Sequence, residues 1–211
     1  MHQFHHFLKN RIKKPLPGRD AQLKMSPEPL DPDFVLPIEK TETAHPSSVM
    51  IPLFPDDNNL LNVILTLRTN SIRHAGQISF PGGRKDNGET LLQTALRETN
   101  EEIGINPLQL TITGSITPLY LHRTDNQITP FVGFMDKKPV LTPNPAEVQE
   151  TIITPLKKLL QEETYKRKEW NLKTATFDVP YWDIHETPLW GATAMIMSEL
   201  LELYREFEEQ D

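Results

Sequence analysis

Between Gly83 and Ile105 the chain reads GRKDNGETLLQTALRETNEEIGI, and three of its carboxylates, Glu98, Glu101 and Glu102, recur at the spacing i, i+3, i+4. On an α-helix those positions lie on one side. Three like charges there repel one another and would weaken a bare helix. A divalent cation removes that penalty, and hard cations such as Mg²⁺ or Mn²⁺ favour carboxylate oxygen, commonly between protein carboxylates and substrate phosphates. The spacing therefore constrains the segment to a helix that holds a metal, or else to a solvated acidic face.

The residues around the triplet decide between these. Pro81, Gly82 and Gly83 form a tight bend, where glycine lets backbone approach a ligand closely. Asp86-Asn87-Gly88 is turn chemistry. Thr90 to Glu102 reads as a helix whose buried side carries Leu91, Leu92, Ala95, Leu96 and Thr99, with Gly104 as its stop. The pattern Gly83-x5-Glu89-x7-Arg97-Glu98-x2-Glu101-Glu102-x-Gly104 resembles the Nudix box, the signature of hydrolases that cleave nucleoside diphosphates linked to another group. At residue frequencies of roughly 7% each, chance agreement at seven such positions is on the order of one in a hundred million per window. Thr99 stands where the family usually has an aliphatic residue.

The resemblance implies the Nudix fold, an α/β (α+β) domain in which a mixed sheet lies between helices in an α/β/α sandwich. It implies that Arg97 pairs with Glu89 to brace the loop against the helix. It implies that Glu98, Glu101 and Glu102 hold Mg²⁺ or Mn²⁺, with the Gly83 carbonyl as a further ligand. Metal ions neutralise pyrophosphate oxygens and position a water in line. A carboxylate then takes that water's proton. Glu147 is the expected general base, with Glu150 and Glu101 as alternatives.

Upstream, Ile64-Leu65-Thr66-Leu67-Arg68-Thr69, then Arg73, then Gly76 and Phe80-Pro81-Gly82-Gly83 resemble the coenzyme A pyrophosphatase subfamily. Asn144-Pro145-Ala146-Glu147-Val148, Pro155-Leu156 and Trp190-Gly191-Ala192-Thr193-Ala194 continue the likeness, which covers about residues 46–205. Ile64 and Thr69 are conservative departures, and the stretch from Arg73 to Gly76 is one residue shorter than the subfamily pattern. The resemblance implies cleavage of coenzyme A to 3′,5′-ADP and 4′-phosphopantetheine. Arg68 and Arg73 are then candidate phosphate contacts, because guanidinium binds phosphate bidentately. The alternative for Arg68 is structural, a strand cap or a partner for a box carboxylate. The rival functions are a Nudix pyrophosphatase for ADP-ribose or another nucleoside diphosphate derivative, and a non-catalytic Nudix-fold regulator.

Bulk properties bound these readings. The 211 residues suit one domain with a sizeable core. No cysteine is present, so disulfides and thiolate zinc sites are excluded. A net charge of −7 argues against a nucleic-acid surface, which is normally basic. No apolar run approaches a membrane span and the N-terminus lacks an apolar signal core, so the expected location is cytoplasmic. The expected partner is a small molecule, with no nucleic acid and no membrane; a homodimer is left open.

Residues 1–45 are expected to form a short amphipathic helix over 1–20 and an extended arm over 21–46, packed on a Nudix domain of residues 46–211. His2, His5 and His6 are read as a frayed terminus, with metal binding as the alternative. Strands are expected at Ser48–Phe54, Asn62–Arg68, within Leu108–Tyr120 with a bend or bulge at Gly114, at Ile128–Met135 and at Thr174–Tyr181; Gln77–Phe80 leads into the segment that starts at Gly83. Helices are expected at Thr154–Glu162 and Ala192–Glu208.

Overall fold

The structure is a computed structural model that describes residues 2–31, 33–34, 43–69, 76–172 and 175–210. In chain order it contains α1 (Gln3–Arg11), α2 (Gly18–Leu23), β1 (Glu28–Pro29), β2 (His45–Pro55), β3 (Leu61–Arg68), β4 (Ile78–Ser79), β5 (Gly82–Arg84) and α3 (Leu91–Ile103). There follow β6 (Thr111–Ser115), β7 (Leu119–Leu121), β8 (Asn126–Phe134), β9 (Val148–Pro155), α4 (Leu156–Leu159), β10 (Tyr165–Asn171), β11 (Thr176–Trp182) and α5 (Gly191–Glu208).

The main sheet is mixed. β2 runs parallel to β8 from His45/Asn126 to Leu53/Phe134. β3 lies antiparallel between β9 and β2, and β8 carries β6 and β7 on its far side. The run Leu61-Asn62-Val63-Ile64-Leu65-Thr66-Leu67 is buried throughout, the pattern of a strand covered on both faces. Its residues divide accordingly. Val63, Leu65 and Leu67 pack with α5 residues Met197, Leu200, Leu201 and Tyr204. Ile64 packs with Met50, Phe54 and the α3 residues Ala95 and Ile103. The architecture is thus the α/β/α sandwich that the resemblance implies.

One feature of the sheet positions the site. β2 and β3 pair only at Leu53–Pro55 and Leu61–Val63 and then splay apart. Residues 78–84 fill the wedge: β4 pairs with Thr66 and Leu67 of β3, and β5 pairs with Ser47 to Val49 of β2. Met50 N–H donates to the Pro81 carbonyl at 2.9 Å, sealing the bend between them. The wedge delivers Gly82 and Gly83 to the underside of α3.

The N-terminal segment departs from the reading of a frayed end and a simple arm. Phe4 and Leu8 are fully buried, and the Phe4 ring meets Tyr204 at 5.1 Å, Phe207 at 5.4 Å and Phe134 at 6.0 Å. His2 Nδ1 caps the helix by accepting from Phe4 N–H, and buried His5 hydrogen-bonds Thr113 Oγ1 at 2.9 Å. Part of the expected arm is helical: α2 docks on α5 through Glu199, a fully buried carboxylate that accepts from Gly18 N–H, Gln22 Nε2 and Thr117 Oγ1. Because Phe4 is a core side chain, Phe4→Ala should cost about 3–5 kcal/mol of stability, read by urea denaturation. An effect below about 1 kcal/mol would mean that α1 is peripheral.

Besides the short β1, β4 and β5, which were not read as strands, two longer strands were not anticipated. β9 occupies Val148–Pro155, and only Leu156–Leu159 of the helix expected over Thr154–Glu162 forms as α4. β10 is an exposed, charged strand paired with β11 in a separate three-stranded sheet with β1. Elsewhere the elements lie close to their expected positions, including the register shift between Ile112 and Gly114.

Candidate active site

α3 begins with a complete capping box. Thr90 Oγ1 accepts from Gln93 N–H, and the Gln93 side chain accepts from Thr90 N–H, which satisfies donors left open at a helix start. Thr99 is fully buried, and its hydroxyl donates to the Ala95 carbonyl at 2.6 Å, so the departure from an aliphatic residue leaves no orphaned polar group. The helix stops at Gly104, in the left-handed region with φ of 74°. A Cβ there would lie 2.9 Å from Thr142 Cβ, so glycine is needed both for conformation and for space.

Arg97 is the hub of the acidic segment. Its Nε donates to Glu89 Oε1 at 2.7 Å, and its Nη1 donates to Glu98 at 2.9 Å and to Glu101 at 2.8 Å. Asp86 lies 3.7 Å away. Hydrogen bonding from Arg97 holds the Glu89 carboxyl down at about 2, and the same partners push the Arg97 guanidinium above its ordinary value.

The three helix carboxylates are not equivalent. The Glu98 carboxyl lies against Gly83, where a Cβ on residue 83 would overlap it. Burial raises its pKa, and Arg97 partly offsets this. Glu102 is 2% exposed. Its Oε1 lies 3.4 Å from Arg68 Nη1, while its buried Oε2 has no hydrogen-bond partner. Burial pushes Glu102 up to about 7, assisted by the charges of Glu98 and Glu147 and opposed by Arg68 and the Gly82 N–H. Glu101, by contrast, is half-exposed and turned to Arg97.

The remaining expected residues take different places. Glu147 sits in the loop before β9, close enough for its charge to raise both Glu98 and Glu102. Arg68 ends β3 beside Glu102. Glu150 faces away from this group, 3.3 Å from His185 Nε2. Arg73 lies outside the described residues. Asn144, singled out earlier only as part of the acidic loop, bonds both Glu102 and Glu147. Its partners could not be read from the sequence, because Glu102 and Asn144 meet only through the fold.

Among the described residues no three His, Asp or Glu side chains stand converged as a ready cation cage. The donors nevertheless suit a hard divalent ion. They are all oxygen, Glu102 is buried and Glu98 half-buried with raised proton affinity, and Glu102 Oε2 is an unpartnered buried acceptor. A buried acceptor without a partner is costly, and a cation would satisfy it.

This has a measurable consequence in metal-free protein. The ordinary carboxyl value is 4.5 and that of Glu102 is about 7. Its contribution to folding is therefore full below pH 4.5 and is lost as pH rises to about 7, by up to about 3 kcal/mol. Chelator-treated protein should melt lower at pH 8 than at pH 5, and Glu102→Gln should flatten that slope. An unchanged slope in the variant would remove Glu102 as its cause.

A family model described as the NUDIX domain matches residues 44–174. Nudix hydrolase 3 of Caenorhabditis elegans is 32% identical over 173 residues, covering 74% of this chain and 72% of that protein. The peroxisomal coenzyme A diphosphatase NUDT7 of Mus musculus is 36% identical over 124 residues, 58% of this chain and 52% of that protein, so the match spans about half of the mouse relative. A solved Nudix hydrolase from M. smegmatis superposes with a TM-score of 0.57 at 18% identity, covering 77% of this chain and 87% of that one, which shows a shared fold. No helix among the described residues is long and apolar enough to cross a membrane. With its capped acidic helix, its wedge of glycines and a family match across most of the sheet, the chain belongs to the Nudix hydrolases and is a pyrophosphatase.

Proposed function

We propose that this Nudix pyrophosphatase hydrolyses the pyrophosphate bond of coenzyme A or its derivatives, releasing 3′,5′-ADP and 4′-phosphopantetheine. The observation that carries the reading is the end of β3. There Arg68 presents a guanidinium within 3.4 Å of Glu102, one strand from the glycine wedge. Coenzyme A carries a 3′-phosphate in addition to its pyrophosphate, and guanidinium beside a metal-type carboxylate group suits such a doubly anionic ligand. The similarity to the mouse coenzyme A diphosphatase supports the same substrate.

Nudix hydrolases act with divalent metal ions. In the proposed mechanism Glu98, Glu101, Glu102 and the Gly83 carbonyl would hold Mg²⁺ or Mn²⁺. The chemistry such an ion would supply when bound is neutralisation of phosphate oxygens and a more nucleophilic water. Glu147 accepts the proton of the attacking water on a carboxylate oxygen. Arg68 and Arg73 bind phosphate oxygens. Arg97 keeps Glu89 and the loop 84–88 fixed against α3.

The test is chromatographic product analysis with coenzyme A, ADP-ribose and a nucleoside triphosphate, each with Mg²⁺ or Mn²⁺. Selective release of 3′,5′-ADP and phosphopantetheine is the expected result. Turnover of ADP-ribose or the triphosphate alone would discard the coenzyme A assignment and keep the metal-dependent chemistry. No turnover of any would favour the regulator reading.

A further inference from the structure

The last turn of an α-helix leaves carbonyls without intrahelical partners. At the end of α3 two of them are taken by a single loop. Thr142 N–H donates to the Ile103 carbonyl at 2.9 Å, and Asn144 N–H donates to the Glu102 carbonyl at 2.9 Å. The loop can approach this closely because residue 104 is glycine, whose missing Cβ leaves room for Thr142. The loop is then folded on Asn144. The Asn144 Oδ1 accepts from Ala146 N–H at 3.1 Å, and its carbonyl accepts from Glu147 N–H at 3.0 Å and Val148 N–H at 2.8 Å. Its remaining amide group, Nδ2, points at Glu147 Oε1 at 3.5 Å. Asn144 is therefore bonded on one side to the main chain of a buried box carboxylate residue and on the other to the carboxylate of the loop.

From this geometry we propose that Asn144 is a positioning residue for hydrolysis: docked on the end of the box helix, it sets the carboxylate of Glu147 against Glu98 and Glu102. The proposal rests on the assignment of Glu147 as the base. It gives the box-terminal Gly104 a part in the same arrangement, since a side chain there would push the loop, and with it Glu147, away from α3. The Nδ2–H donor restricts the rotamers of Glu147; the four main-chain and Oδ1 contacts hold the loop. Displacements of about 1 Å at a reacting group are enough to cost up to about a hundredfold in rate.

Asn144→Asp separates these two jobs. It keeps an oxygen for Ala146 N–H, removes the amide donor and sets a second carboxylate beside Glu147. Asn144→Ser keeps a short acceptor and loses the Nδ2 donor, leaving a single hydroxyl one bond shorter than the amide nitrogen. With coenzyme A and Mg²⁺, or with whichever compound of the substrate panel is turned over, both variants should lose at least about tenfold in kcat, with KM within about threefold. Mn²⁺ affinity by calorimetry and the melting temperature should stay at wild-type values. In a Glu147→Gln background neither substitution should reduce kcat further. The proposal is overturned by wild-type kcat in Asn144→Asp and Asn144→Ser, or by a rate loss that appears only together with lost Mn²⁺ affinity or lost stability. An undiminished effect in the Glu147→Gln background also overturns it. Wild-type activity of Glu147→Gln alone would remove the base assignment, and this proposal with it, while leaving the choice of substrate untouched.

Discussion

Glu98→Gln is expected to leave a folded protein whose kcat is at least about a thousandfold lower, because it removes a charge from the carboxylates proposed to hold the metal and changes almost nothing else. The carboxyl of Glu98 fills the space above Gly83, and an amide of the same shape fits it. Burial already disfavours the charged form, so the neutral side chain suits the metal-free fold at least as well. Arg97 loses one charged partner, keeps an amide oxygen that can accept from Nη1, and keeps Glu89 and Glu101. Circular dichroism and melting without metal should match the wild type, while steady-state kinetics and Mn²⁺ titration should show the loss. A kcat within about tenfold of wild type would take Glu98 out of the metal-binding set.

The second large effect is expected at Arg97, and on stability first. Arg97 faces Glu89, Glu98, Glu101 and Asp86 at once. Arg97→Ala leaves these four acids without that cation and frees the loop that carries Glu89. Breaking a buried pair costs about 3–5 kcal/mol, and the partial exposure of this one puts the expectation at about 2–3 kcal/mol. Arg97→Lys should recover little, because one ammonium cannot reproduce the fork that serves Glu89 through Nε and its neighbours through Nη1. Urea denaturation of metal-free protein at moderate salt measures this. A loss below about 0.5 kcal/mol for Arg97→Ala would mean that the network is solvated rather than structural.

How much was legible without coordinates differs from element to element. α3 was, because its determinants are local: a threonine cap, a 3.6-residue apolar period and a glycine stop, all within one segment. α5 was legible from its apolar period alone, since Trp190 gives no side-chain cap and no glycine ends it. β10, Tyr-Lys-Arg-Lys-Glu-Trp-Asn, was not; it has no apolar alternation and is a strand only because β11 pairs with it. β9 was hidden by Pro155 and the leucines after it, which read as a helix start; its β-branched centre, Thr151 to Thr154, is a strand because β3 offers an unpaired edge there. The N-terminal helix was legible as an element, but the burial of Phe4 depends on aromatic rings two hundred residues away in the chain.

The site divides along the same line. Helical periodicity is a property of the backbone alone, so the sequence by itself determined that Glu98, Glu101 and Glu102 share one side of a helix and that Arg97 lies among them. It could not determine which of them leave water. Glu102 is 2% exposed and Glu101 is half-exposed although they are adjacent. The sheet decides this, since the wedge between β2 and β3 brings Gly82, Gly83 and Arg68 under one edge of the helix and leaves the other to solvent. Only that tertiary contact sets the desolvation that raises Glu98 and Glu102, and only the docking of residues 142–147 on the helix end brings Glu147 near them.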